Sequence, residues 1–90
     1  AKEFDVSDLT GQEFNFFLGY AIYSKALAQA EPNTLETARA TLPQFQEAQR
    51  LLQSCGDYAQ RNNRESSRQE ILNAANTYIG IQEAIIKRGR

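Results

Sequence analysis

The chain has 90 residues, of which 41% are hydrophobic and 10% aromatic, with a net charge of −1 and no histidine, methionine or tryptophan. Those values describe one small globular domain and not a disordered chain. The near-neutral charge argues against non-specific nucleic-acid binding. No apolar run approaches the roughly 18–20 residues of a membrane helix, since Ser24 and Lys25 interrupt the best candidate.

The opening segment, AKEFDVSD, is acidic and polar, unlike a signal peptide. The missing initiator methionine is expected of a chain whose leader has been cleaved, or of a domain cut from a longer protein. No compartment is legible from either. The first helix is expected from about residue 8 to residue 31. Ser7 and Thr10 are candidate caps, and Thr10 has Glu13 at the capping-box spacing. Five of the nine aromatic residues fall inside this stretch, as Phe14, Phe16, Phe17, Tyr20 and Tyr23. At about 100° per residue they spread around the helix, with Leu18 and Ile22 filling the other side. A helix that is apolar nearly all round needs cover on more than one side. These five residues are therefore the candidate contacts to a partner.

Pro32 ends the first helix, and Asn33 or Thr34 offers a fresh cap. The second helix is expected over 34–61, its stripe formed by Leu35, Ala38, Leu42, Phe45, Leu52 and Ala59, with Gln49 interrupting. Pro43 lies inside it and predicts a kink, because proline removes a backbone hydrogen bond. The polar tract QRNNRESS (60–67) reads as a loop. The third helix is expected over 67–88. Ser67 with Glu70 fits a capping box, Ile71, Ala75, Tyr78, Gln82 and Ile85 recur at helical spacing beside Ile79, and Gly89 terminates after Lys87 and Arg88. The expected fold is all-α: three long antiparallel helices in a single domain, 1–90, or a terminal piece of a longer array.

Chemistry-bearing groups are few. Cys55 has no partner for a disulfide and no histidine to activate it, so it reads as a small buried residue. Asp5, Asp8 and Glu13 lack the spacing of a calcium loop, and no set of Cys and His exists for zinc. No metal, cofactor or catalytic residue is expected. Gly19 and Gly80 lie inside expected helices, where each costs about 1 kcal/mol relative to alanine, and close packing of a neighbouring helix is the reading adopted for both. Charge is uneven: residues 1–36 carry six acids against two lysines, and residues 37–90 carry eight bases against five acids. Arg61, Arg64 and Arg68 around the second loop are candidate contacts to an acidic partner.

The Leu18-Gly19 pair, followed by Ile22 and Tyr23, and the segment from Thr41 to Ala48 containing Phe45 resemble the two helices of a tetratricopeptide repeat. Thr41 stands where that family has alanine and Asn15 where it has tryptophan. Gly19 and Phe45 are separated by about ten residues more than the 34-residue period allows. The resemblance implies a helical hairpin with a packing helix, and a role as a protein-binding or scaffold module. Two other readings stand beside it: a three-helix bundle that homodimerises through its aromatic helix with a structural or regulatory role, and a helical domain that holds a small molecule between its helices.

Overall fold

The computed structural model describes residues 9–89; Ser7, Asp5 and Asp8 lie outside them. Among the described residues there are four helices and no strand: α1 (Leu9–Ala30), α2 (Leu35–Gln53), α3 (Gly56–Arg61) and α4 (Glu65–Arg88). The three long helices pack antiparallel in succession, with α3 a short insertion between the second and third. The backbone is already helical at Leu9, so Thr10 sits too late to be the cap.

The turn out of α1 follows the local chemistry. Asn33 takes a left-handed φ of 63°, a conformation asparagine tolerates, and its amide donates to the Ala30 carbonyl at 2.6 Å. Thr34 then caps α2. Its hydroxyl accepts from the Thr37 amide at 3.2 Å, and the Thr37 hydroxyl accepts from the Thr34 amide at 2.9 Å. The two threonines satisfy two end donors reciprocally, with Thr37 standing where glutamate is usual in such a box.

The second expected helix is two helices. α2 runs through Pro43 and stops at Gln53, and the chain restarts as α3 after Ser54 and Cys55. Ser54 closes α2 by donating its hydroxyl to the Leu51 carbonyl at 2.7 Å. Gly56, a poor helix former, follows the break. α4 begins at Glu65, two residues before the expected Ser67 cap, and no side chain caps it. The Glu65 carboxylate instead receives Arg68 Nε and Nη2 and Gln69 Nε2, each at 2.8 Å, which stabilises the first turn from within. Asn63, at φ 56°, makes the reversal sharp enough for a three-residue connection.

α2 lies in the middle, with α1 along one side and α4 along the other, while α1 and α4 barely meet. Since both run opposite to α2, α1 and α4 are parallel to each other. The fold is a flattened slab of 43 × 26 × 18 Å. Ala38, Phe45, Leu52, Ala59 and Ala75 are buried as expected, whereas Leu35, Leu42, Ile71, Tyr78, Ile79 and Ile85 are only half-buried. A middle helix is covered along two sides, whereas the flanking helices are each covered chiefly along one. Leu51, Ala48 and Thr41 of α2 complete the centre.

The stripe by which α1 meets α2 consists of small and amide-bearing residues: Gln12, Asn15, Gly19, Ala26 and Ala30, all buried. A methyl group on Gly19 would stand 3.0 Å from Leu52 Cγ and 3.2 Å from Leu51 Cβ, so any larger residue would push these neighbours back by a few tenths of an ångström. Gly80 departs from expectation. Nothing lies within 4 Å of where its Cβ would be, and it faces open space on α4.

Candidate functional site

Small residues let α1 approach α2 closely, and the large rings of α1 divide between the edge of that contact and the outside. Phe16 is 4% exposed and packs with Leu52, Cys55, Tyr58 and Leu72; its ring lies 5.9 Å from that of Tyr58. Tyr23 is half-buried, edge-on to Phe45 at 6.0 Å, and burial pushes its hydroxyl pKa up. These two candidate partner contacts are therefore largely internal. Phe17 and Tyr20 are 45% and 50% exposed, and Phe14 is 37% exposed. The outward aromatic surface is thus narrower than the five residues first singled out.

Beside it lies an open cleft of about 320 Å³, bounded by Phe16, Phe17 and Tyr20 of α1 and by Arg64, Glu70 and Ile71 at the start of α4. The Arg64 guanidinium lies 5.2 Å from the centre of the Phe17 ring and 5.9 Å from that of Phe16, within cation–π range. Its Nε donates to the Tyr58 hydroxyl at 3.0 Å, and that hydroxyl donates to Glu13 Oε2 at 3.3 Å. A chain of polar groups thus holds Arg64 against the aromatic wall.

The three arginines do not act as one cluster. Arg68 turns inward, its side chain 11% exposed, and donates to Glu65 and to the Leu52 carbonyl at 3.0 Å. It is occupied within the fold and leaves the set of contacts open to an acidic partner. Arg61 is exposed. Hydrogen bonds from Arg68 and Gln69 hold the Glu65 carboxyl down at about 2.

Cys55 is fully buried at the α2–α3 junction, and its thiol donates to the Leu52 carbonyl at 3.2 Å. Burial pushes its pKa up to about 11, so the reactive thiolate is scarce at neutral pH. Among the described residues, no group of three or more His, Cys, Asp or Glu is placed to hold a metal ion. Nor is any described helix long and apolar enough to cross a membrane.

Three amides are buried, of which Gln12 and Asn15 escaped the sequence reading while Gln82 stood on the expected stripe of the last helix. Gln12 reaches from α1 to accept the Tyr58 amide, Asn15 donates to Ser54 Oγ at 3.4 Å, and Gln82 donates to Asn33 Oδ1 at 3.4 Å. Their signal was positional, since Gln12 and Asn15 share the spacing of Gly19, Ala26 and Ala30. Comparison of the chain with protein-family models, with curated proteins and with solved structures finds no match.

Proposed function

We propose that this chain is a non-catalytic protein-interaction module that docks a partner on the outward aromatic face of α1 and the adjoining cleft. The observation that carries the reading is the exposure of Phe17 and Tyr20 on a helix whose own packing stripe is made of small residues. Rings of that size left outside a small slab, next to a pinned arginine, form the mixture of aromatic and cationic groups that protein interfaces favour. The tetratricopeptide resemblance of the α1–α2 hairpin supports the same role. A buried, protonated thiol and the scarcity of other reactive groups favour binding over catalysis. The cleft is open to solvent, unlike the enclosed sites that bury most of a small ligand, which ranks a partner surface above a small-molecule site.

The test is photo-crosslinking in the cells that make the protein, with p-benzoylphenylalanine placed at position 17, and at the exposed Glu36 on α2 as control. An adduct to a protein from position 17 but not from 36 is expected. No adduct from 17, or equal labelling from both, overturns the reading.

A further inference from the structure

The partner of this face is a second copy of the chain: we infer a two-fold pairing in which α4 of one copy lies antiparallel to α4 of the other, across the face shared with the α1 aromatics. This identification rests on the docking reading above and adds the occupant.

Charge carries the first part of the case. Glu70 and Arg88 are both exposed and stand eighteen residues apart on α4, which is about five whole turns, so they lie on one line of the helix. Glu70 borders the cleft beside Phe17 and Tyr20, which places that line on the aromatic side of α4. One end of the line is therefore acidic and the other basic. Antiparallel pairing sets each Glu70 opposite an Arg88 of the second copy, at both ends simultaneously. Parallel pairing would set like charges together. A two-fold interface must be self-complementary in this way.

The middle of the line is shaped for contact. Thr77 and Ile81 fall within about 20° of it, on either side of its midpoint. Ile81 is 41% exposed, a large apolar side chain only partly covered within its own fold. Gly80 lies about 80° from the line, at its edge, with empty space where its side chain would be, and Ala84 follows one turn on, about 40° from the line. A mid-helix glycine at that edge leaves room for a second helix to approach from outside. In the same arrangement Phe17 and Tyr20 meet the C-terminal half of the second copy's α4, where Ala84 and Ile85 stand.

Sedimentation equilibrium of the full chain at high micromolar concentration tests this, with Glu70→Arg, Arg88→Glu, the double swap and Gly80→Leu alongside. A wild-type dimer is expected. Each single reversal should weaken it by about tenfold, since two like-charge contacts arise per dimer, and the double swap should restore most of the loss. Gly80→Leu should abolish pairing while circular dichroism stays helical, because the position is unobstructed in the single molecule. A monomeric wild type, or a dimer indifferent to the charge swap and to Gly80→Leu, overturns the pairing. In that event a crosslink from position 17 to a different protein leaves the docking reading intact, whereas no crosslink removes both.

Discussion

The Gln12 side-chain carbonyl accepts a hydrogen bond from the Tyr58 backbone amide at 2.9 Å, across 46 residues of sequence. Tyr58 is the third residue of α3, whose N-cap position, Cys55, makes no side-chain cap. Gln12 thus does from another helix what a local serine or aspartate usually does, and ties the short helix to α1. Gln12→Ala should cost about 1–3 kcal/mol in chemical denaturation, the range for a buried donor left unsatisfied. Faster amide exchange should be confined to residues 56–61. An effect below about 0.5 kcal/mol would show that α3 is held by its apolar contacts alone.

Phe45 is fully buried, with its ring stacked on Tyr78 at 5.1 Å and 11° and edge-on to Tyr23. Its ring reaches rings on both flanking helices, so truncating it opens the centre of the slab. Phe45→Ala should destabilise by about 3–5 kcal/mol. A loss under about 1 kcal/mol would mean that α1 and α4 are not joined through this ring.

Pro43 sits in the ninth position of α2 on its exposed side, within a continuous helix. Its missing N–H and its ring both work against the helix, and no described contact requires the proline. Pro43→Ala should therefore stabilise the fold by about 1–3 kcal/mol. A destabilised variant would show that the proline shapes how α2 meets α1.

Arg68 and Gln69 hold the Glu65 carboxyl at about 2, below its usual 4.5. A carboxyl whose folded pKa is depressed adds stability that is fully present above 4.5 and is lost as pH falls towards 2. Denaturation midpoints should fall with acidification over this window more steeply for wild type than for Glu65→Gln. Parallel profiles would mean that the carboxylate contributes nothing to the start of α4.

The helix boundaries that depend on neighbouring residues were legible in the sequence. Pro32 ends α1, Thr34 caps α2, and Gly89 follows α4, each for reasons contained in a few adjacent positions. Gly19 was also legible as a point of close packing. The break at Ser54–Cys55 was not, because part of what holds α3 is the amide of Gln12, far away along the chain. The role of the aromatics in α1 was only half legible. Apolar size identifies residues that seek cover, but the closest approach to α2 was taken by Gly19, Ala26 and Ala30, whose small size permits it. Phe16 and Tyr23 then turned inward towards α3 and Phe45, and Phe17 and Tyr20 were left outside.

The most direct measurement of the outward aromatic face compares stability and association in one variant, Phe17→Glu with Tyr20→Glu. Chemical denaturation should match wild type within about 0.5 kcal/mol, since neither ring is buried, while sedimentation shows association lost. A loss of stability above about 2 kcal/mol, or a dimer as tight as that of wild type, would contradict the assignment of this face to a second copy.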